Sequence, residues 1–221
     1  MNYLANLLTG LSLICGFVSL IFSLESHYTF ASWAIILAVI FDGLDGQVAR
    51  LNPVENEFGK ELDSLVDVVS FGIAPSLLGY IFVYRDFHLW ATTALFIYLV
   101  CSIVRLAKYN ITPKEKLKDY FYGLPTTVSG GIIASFILIY RKYTQLPPHF
   151  IFLLIVLCLA FLMVSRVRYL NLDGLKKISG NKRLLFLIAA LIVFAFVPEI
   201  TVFSLLVLYL VFSPFLVRKI V

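Results

Sequence analysis

Apolar segments long enough to cross a lipid bilayer follow one another along most of this chain. Hydrophobic residues make up 61% of its 221 residues, whereas soluble domains contain about 45–50%. A membrane span needs about 20 predominantly apolar residues, and the chain offers such stretches repeatedly. The sequence therefore predicts an all-α, polytopic membrane protein built as one unit.

Eight spans are predicted, at about residues 3–24, 28–51, 59–84, 89–109, 124–143, 150–169, 184–198 and 201–217. The first six form a transmembrane core within residues 1–170, and the last two form a C-terminal pair of helices within residues 184–221, whose role the sequence does not indicate. These last two are short and turn at Pro198 and Glu199, so a re-entrant hairpin is the alternative. No cleavable signal peptide is expected, because the first span lacks a basic leader and is long enough to cross.

The basic residues are distributed unevenly between the two sides that eight spans define. Of the 18 Lys and Arg residues, one side receives only Arg85, Arg141 and Lys142. Because positive charge accumulates on the cytoplasmic side of membrane proteins, the other side, with both termini, is predicted to face the cytoplasm. The net charge of +5 is thus mainly a topology signal. No basic region stands apart from the spans, so no nucleic-acid partner is expected.

Seven carboxylates lie between residues 41 and 72, around the turn between the second and third predicted spans. The second span carries two acids and two small residues at positions i, i+3, i+4 and i+7, which share one helix face: Asp42, Asp45, Gly46 and Ala49. The third span carries a matching stripe at i, i+4 and i+8: Gly59, Asp63 and Asp67. The connecting loop is short, which predicts that the two helices are antiparallel neighbours.

The acids are predicted to meet below the membrane surface. Asp42 and Asp67 each lie eight residues from the surface end of their helix, or about 12 Å at 1.5 Å per residue. They should form a deep pair, with Asp45 and Asp63 as a shallower pair. Gly43 falls on another face and is interpreted as a packing position.

Four converging carboxylates in a membrane need compensation. One central carboxylate costs about 2.5–3.5 kcal/mol to insert, and like charges nearby increase that cost. Either some acids are protonated or cations bind, and an oxygen-only ligand set suits Mg²⁺ or Mn²⁺. With Arg50 at the mouth as a phosphate ligand and small residues that admit a flat polar molecule, the pattern suggests phosphoryl chemistry on a nucleotide-bearing substrate.

The complete pattern is Asp42-x2-Asp45-Gly46-x2-Ala49-Arg50-x8-Gly59-x3-Asp63-x3-Asp67. It resembles in full the signature of the CDP-alcohol phosphotransferases, membrane enzymes that move a phosphatidyl or similar group from a CDP-linked donor to an alcohol and release CMP. Within that family the chain is most similar to the phosphatidylserine synthases, through residues 61–75, 105–110, 120–127 and 163–169. The resemblance implies a six-helix transmembrane core, commonly a homodimer, in a membrane that we expect to be a prokaryotic cell membrane.

The resemblance also implies roles for the signature residues. Asp42, Asp45 and Asp63 would hold one divalent ion, Mg²⁺ or Mn²⁺, and Asp63 and Asp67 would contribute to a second. The site for the CDP group of CDP-diacylglycerol would be formed by Asp42, Asp45, Gly46, Ala49, Arg50 and Gly59. Asp67 would also act as the general base on the hydroxyl of the acceptor, L-serine.

The carboxylate of serine needs a cation, and Arg105 and Arg166 are predicted to bind it because they lie closest to the apolar spans. Ser70 and Asn110 are weaker candidates for contacts to serine. The alternative interpretation of both arginines is the topology signal alone.

Other acceptors remain open, namely glycerol phosphate, inositol phosphate or choline. A different class of function, a divalent-cation transporter, is less favoured because transport sites usually lie near the membrane midplane between repeats. Three local predictions complete the analysis: an interfacial helix at 114–125, helix packing at Gly130 and Gly131, and a kink or cap at Pro75.

Overall fold

The structure is a computed structural model that describes residues 2–50, 57–112, 120–144, 149–170 and 197–220. Its helices are α1 (Asn2–Leu24), α2 (Tyr28–Arg50), α3 (Glu57–Asp67), α4 (Ala74–Ile111), α5 (Thr126–Tyr143), α6 (His149–Val164) and α7 (Pro198–Ile220). A π-helical segment, Val68–Ile73, joins α3 to α4, and two short strands, β1 (Tyr120–Tyr122) and β2 (Arg168–Leu170), pair antiparallel. The prediction of an all-α, polytopic membrane protein is confirmed.

Helix α4 folds back on itself. A straight helix of its 38 residues would extend about 57 Å, yet the Ser76 hydroxyl donates to the carbonyl of Leu95 over 3.4 Å. Ser76 and Leu95 lie on opposite sides of residues 84–87 in the sequence. Their contact therefore requires the chain to reverse its direction between Val83 and His88. The two arms correspond to the predicted spans 59–84 and 89–109, which are confirmed as separate membrane-length stretches, 57–83 and 88–111.

Five stretches of the described chain are long and apolar enough to cross a membrane: 3–24, 28–48, 57–83, 88–111 and 198–217. Helix α5 occupies the predicted span 124–143, and α6 occupies most of the predicted span 150–169. The predicted span 184–198 lies almost entirely outside the described residues. The last predicted span is confirmed as α7.

Helix α5 lies at the centre of the bundle, and its glycines allow close packing. A Cβ atom added to Gly130 would lie 3.3 Å from the Cα atom of Phe71, and one added to Gly131 would lie 2.9 Å from a methyl group of Leu206. Small residues at these positions let neighbouring helices approach closely. The predicted packing role of both glycines is confirmed.

The two ends of the bundle differ in chemistry. At one end, aromatic rings of four helices pack edge to face or tilted, with Phe82 between Tyr28, Tyr140 and Phe152. An exposed ion pair between Lys142 and Glu199, 2.9 Å apart, lies at the same end. The opposite end carries the acidic residues of α2 and α3 and the two strands.

Strands β1 and β2 lie where the sequence predicted helices. Of the predicted interfacial helix at 114–125, residues 114–119 lie outside the described residues, and residues 120–122 form β1, so the helix prediction is wrong there. Helix α6 ends at Val164 rather than continuing to 169. The reason is Gly123, whose φ of +77° turns the chain so that its N–H donates to Val167 O over 2.8 Å. Any Cβ at this position would collide with the carbonyl of Met163.

Candidate active site

Three carboxylates converge at the strand end of the bundle. One oxygen each from Asp42, Asp63 and Asp67 lies within 4.8 Å of the other two, and we call this set the acid trio. Asp67 is buried, whereas Asp42 and Asp63 are half-buried. The side chains of Asp42 and Asp67 also interact directly, as predicted for the deep pair.

Helix α1 organises the geometry around the trio. It packs against both α2 and α3, whereas α2 and α3 make few close backbone contacts with each other among the described residues. The acids of α2 and α3 nevertheless meet, so the two helices are neighbours at the acid trio, as predicted. Helix α1 packs against both of the helices that carry these acids.

The acid trio fits a hard divalent ion. All three donors are carboxylate oxygens, the ligand type that Mg²⁺ and Mn²⁺ prefer. The Oδ1 atom of Asp67 is buried and has no hydrogen-bond partner within the described residues. A buried oxygen of this kind is costly to leave unpaired, and a cation shared with Asp42 and Asp63 would satisfy it.

The fourth signature acid, Asp45, lies beside the trio but not in it. It is 5% exposed and interacts electrostatically with Asp42 and Asp63. Its Oδ2 atom lies 2.9 Å from the hydroxyl of Thr9 on α1. The structure thus brings three of the four predicted metal ligands together and directs the fourth towards α1.

A buried cation stands next to the acids. Arg105, on the second arm of α4, is 8% exposed and close enough to the acid trio to interact electrostatically with all three carboxylates. Its guanidinium donates to the Thr126 hydroxyl over 3.2 Å and lies 5.2 Å from the ring centre of Tyr109. The topology signal alone does not account for an arginine that is buried and oriented in this way.

A cavity of about 320 Å³ extends from Arg105 towards the strands. Three of its lining residues are cationic: Arg105, Lys108 and Arg166. The remaining walls come from the ends of α4 and α6 and from Tyr122 of β1. Arg105 therefore lies between the acid trio and a cavity suited to an anionic group.

Two predicted acceptor contacts are placed elsewhere. Ser70 is fully buried, and its hydroxyl donates to the carbonyl of Ser12 over 3.1 Å. An added Cβ at Gly16 would lie 2.5 Å from that hydroxyl, so α1 approaches Ser70 closely. Asn110 donates to Ser64 over 2.8 Å and ties the end of α4 to α3. Neither Ser70 nor Asn110 lines the cavity.

Open space borders the predicted CDP site. Among the residues that the structure describes, a Cβ atom added to Gly46 would meet nothing within 4 Å, and the same holds for Gly43. The predicted packing role of Gly43 thus has no support among the described residues. Since glycine inside a helix costs about 0.5–1 kcal/mol relative to alanine, Gly46 without a packing neighbour favours a ligand beside the backbone.

The remaining predicted CDP-site residues flank this space. Gly59 lies one turn before Asp63 on α3 and is half-buried. Ala49 and Arg50 end helix α2, and their side chains lie outside the described part of the structure.

The π-helical segment begins directly after Asp67, and its cause is Pro75. In an α-helix the Phe71 carbonyl would accept the N–H of residue 75, but proline has none. The Tyr98 hydroxyl donates to that carbonyl instead, over 3.0 Å, and the backbone N–H of Ala74 donates to Val69 O. Single π turns inside helices are frequent at functional sites. The prediction for Pro75 was a kink or a cap; the structure has a widened turn below the acids, with Pro75 in the first turn of α4.

Two residues near the acids were not predicted from the sequence. Thr9 contacts Asp45, and Thr126 contacts Arg105. Both are buried hydroxyls at positions remote in sequence from the acids. The available signal was a polar side chain within an apolar helix, which in a membrane commonly bonds across to another helix.

Residues 2–165 match the family described as CDP-alcohol phosphatidyltransferase. The chain belongs to this family. The match includes the acid trio, Arg105 and most of the cavity lining. It confirms the resemblance drawn from the signature, and it favours group transfer over cation transport.

Curated relatives of this CDP-alcohol phosphatidyltransferase carry closely related names. A CDP-diacylglycerol–serine O-phosphatidyltransferase of Helicobacter pylori is 32% identical over 94% of this chain and 88% of its own length. An archaetidylserine synthase of Methanothermobacter thermautotrophicus is 34% identical over 78% of this chain and 71% of its own. A Saccharomyces cerevisiae CDP-diacylglycerol–serine O-phosphatidyltransferase is 32% identical over 63% of this chain and 55% of its own.

Proposed function

We propose that this enzyme transfers the phosphatidyl group of CDP-diacylglycerol to the hydroxyl of L-serine, giving phosphatidylserine and CMP in phospholipid biosynthesis. The observation that carries the proposal is the acid trio next to a cation-lined cavity, with buried Arg105 between them. The acids that would act on the CDP-linked donor then lie next to the cavity that would hold the acceptor. The names of the Helicobacter pylori and yeast relatives support serine as the acceptor.

Asp42, Asp63 and Asp67 would hold Mg²⁺ or Mn²⁺, and Asp45 is near enough to contribute to a two-ion site. When bound, divalent ions supply positive charge that neutralises the pyrophosphate during transfer. The chain thereby provides oxygen ligands on two helices, α2 and α3, that both pack against α1.

Asp67 is the proposed general base. In the reaction the serine oxygen bonds to the phosphorus that bears diacylglycerol, the bond from that phosphorus to CMP breaks, and the serine hydroxyl loses its proton. Asp67 accepts that proton on one of its two carboxylate oxygens, both of which can act as acceptors. General bases of this kind contribute roughly 10²–10⁴-fold to rate.

The cavity is the proposed acceptor site. Arg105 and Arg166 lie on its lining and provide the charge that the serine carboxylate requires. Arg105 is held in place by Thr126 and Tyr109, so its guanidinium is oriented before the substrate arrives. The CDP group is proposed to lie on the other side of the acids, beside Gly46, Gly59 and the end of α2.

The cellular setting is also a proposal. Five basic residues with described side chains lie at the strand end of the bundle: Lys60, Arg105, Lys108, Arg166 and Arg168. This end is proposed to face the cytoplasm, with membrane lipids around the helices and the enzyme acting as a homodimer. The hydrophobic composition of the chain and its five membrane-length stretches support an integral membrane protein.

A phosphorylated alcohol is the second candidate acceptor. The cavity has three cations, Arg105, Lys108 and Arg166, which is more positive charge than a single carboxylate needs. Glycerol phosphate and inositol phosphate carry the additional negative charge that would match it.

An acceptor screen tests both candidates. Purified enzyme in lipid nanodiscs receives CDP-diacylglycerol, Mn²⁺ and one alcohol at a time, and CMP release and the lipid product are measured. We expect CMP and phosphatidylserine with L-serine, and no product with L-alanine, the analogue of L-serine that lacks the hydroxyl. CMP release with a phosphorylated alcohol or choline but not with serine would refute the serine assignment and keep the transfer chemistry.

A further inference from the structure

Helix α1 directs a stripe of hydroxyl groups into the protein. Thr9, Ser12, Ser19 and Ser23 are all buried, with Thr9 4% exposed, although α1 is mainly apolar and exposes several large apolar side chains. The stripe follows spacings of three, seven and four residues, and so stays on one helix face. Thr9 is the member that reaches a carboxylate.

The Thr9 hydroxyl has two acceptors within reach. Its oxygen lies 2.9 Å from Oδ2 of Asp45 and 3.0 Å from the carbonyl of Ala5, one turn earlier. A hydroxyl has one proton to donate. An ionised acceptor binds a donor about twice as strongly as a neutral one, so ionised Asp45 takes the proton in preference to the Ala5 carbonyl.

The hydrogen bond between Thr9 and Asp45 is buried, and it fixes the position of one Asp45 oxygen. Asp45 and Thr9 are both buried between α1 and α2, so water does not compete for either group. The contact draws one oxygen of Asp45 towards α1 and away from Asp42, Asp63 and Asp67, whose oxygens form the close set. Asp45 also accepts a hydrogen bond from the backbone of Gly46 and interacts electrostatically with Asp42 and Asp63.

We propose that Thr9 is a positioning residue for the metal centre, which holds Asp45 so that this carboxylate offers one oxygen rather than two. The proposal rests on the proposed function, because it concerns the ions that the transfer reaction uses. Without the hydroxyl, Asp45 would lose a charge-stabilising donor in a buried site that already contains three acids. Its carboxylate would then bind a divalent ion more weakly.

Simple helix packing is the competing explanation for a hydroxyl stripe. Ser12 provides the matched control, because it lies on the same stripe and its hydroxyl donates to the Ala38 carbonyl of α2 over 3.3 Å. It therefore joins the same two helices through a neutral backbone group. Thr9→Val removes the hydroxyl and keeps the side-chain shape, whereas Thr9→Ser keeps the hydroxyl.

The experiment measures Mn²⁺ affinity of the metal-free enzyme by titration with electron paramagnetic resonance, together with thermal unfolding and steady-state kinetics. For Thr9→Val we expect Mn²⁺ binding to weaken about tenfold or more, as for a lost hydrogen bond to a charged group, with a lower kcat and an unchanged KM for serine. Thr9→Ser should restore affinity towards wild type, and Ser12→Ala should leave it unchanged.

The outcomes are distinct. Wild-type Mn²⁺ affinity in Thr9→Val would overturn the proposal, and so would an equal loss in Thr9→Val and Ser12→Ala, which would indicate packing alone. If Thr9→Val does not fold, Thr9→Ala in the same assay and the affinity of Thr9→Ser decide the question. Normal Mn²⁺ binding by a wild-type enzyme that transfers to no alcohol would refute the proposed function and leave the role of Thr9 standing.

Discussion

At the scale of single residues, Asp67 combines features that no other signature acid shares. It is the most buried member of the acid trio, it interacts with Asp42, and its Oδ1 atom has no hydrogen-bond partner in the described chain. Asp45, in contrast, has a hydroxyl partner in Thr9. The four acids of one signature therefore have different environments, which fits different tasks.

The first residue-scale prediction concerns Asp67→Asn. Asparagine keeps the shape and one oxygen ligand but cannot accept the serine proton, so kcat should fall by roughly 10²–10⁴-fold. Mn²⁺ should still bind through Asp42 and Asp63, although more weakly. CMP release and Mn²⁺ titration on the same purified variant measure both effects.

Glu61→Gln is the matched control for Asp67→Asn. Glu61 lies on the same helix, two residues from Asp63, but it is exposed and outside the acid trio. Its loss should change neither kcat nor Mn²⁺ affinity. Wild-type turnover by Asp67→Asn would remove Asp67 as the base and transfer that role to another group.

At the scale of secondary-structure elements, the π-helical segment is the feature that links packing to the site. Pro75 leaves the Phe71 carbonyl without its helical donor, and Tyr98 from the second arm of α4 supplies one. Tyr98 also contacts Ser129 of α5 over 2.9 Å. The segment that follows Asp67 is thus bonded to two other parts of the bundle.

Tyr98→Phe tests this arrangement. The variant leaves a buried carbonyl unpaired, which costs about 1–3 kcal/mol, so the thermal unfolding temperature should fall. Because Asp67 immediately precedes the segment, CMP release should fall as well. Thermal unfolding of the purified variant and its kcat with serine are the measurements.

Tyr28→Phe serves as the comparison for Tyr98→Phe. The Tyr28 hydroxyl also donates to a backbone carbonyl, that of Ile81, but over 3.4 Å and at the aromatic end of the bundle. Its removal should lower stability less and leave kcat unchanged. Equal effects of the two variants on kcat would show that the π-helical segment has no special relation to the site.

At the scale of the whole molecule, each end of the bundle carries an exposed lysine with a defined partner. Exposed Lys60 lies at the acid-trio end, where it donates to the carbonyl of Asn110, and exposed Lys142 lies at the aromatic end, paired with Glu199. The excess of Lys and Arg at the acid-trio end predicts that this end faces the cytoplasm. CDP-diacylglycerol and serine would then be bound from the cytoplasmic side.

Cysteine labelling in intact cells tests the orientation. Lys142→Cys should react with a membrane-impermeant maleimide added outside, whereas Lys60→Cys should react only after the cells are permeabilised. The wild-type chain, with Cys15, Cys101 and Cys158 in its apolar helices, sets the background labelling. Reaction of Lys60→Cys in intact cells would reverse the proposed orientation.

Some parts of the site followed from local periodicity. Acids three or four residues apart on a helix must share a face, so the stripes of α2 and α3 and the depth of Asp42 and Asp67 were predictable without tertiary information. The predicted spans likewise followed from runs of apolar residues, and five of the eight match the membrane-length stretches of the described chain.

Other parts depended on contacts between residues distant in sequence. Ser70 was predicted to contact serine because it lies beside the acid stripe, but α1 covers it through the close approach of Gly16. The strand at 120–122 pairs with 168–170, and next to it Gly123 bonds to Val167 beyond the end of α6. Local sequence does not reveal such contacts, so the sequence analysis predicted a helix at 114–125 instead.

By itself, the sequence determined that this chain spans a membrane with helices, carries four acids on two of them and has the residues of a CDP-alcohol phosphatidyltransferase signature. Helix periodicity and the cost of burying charge in lipid are local properties, and a sequence shows them directly. Only the tertiary structure decided that three acids converge while Thr9 holds the fourth, and that Arg105 lies between them and a cavity. Those arrangements depend on how α1, α4 and α5 pack around the acids, and packing is a property of residues far apart in the chain.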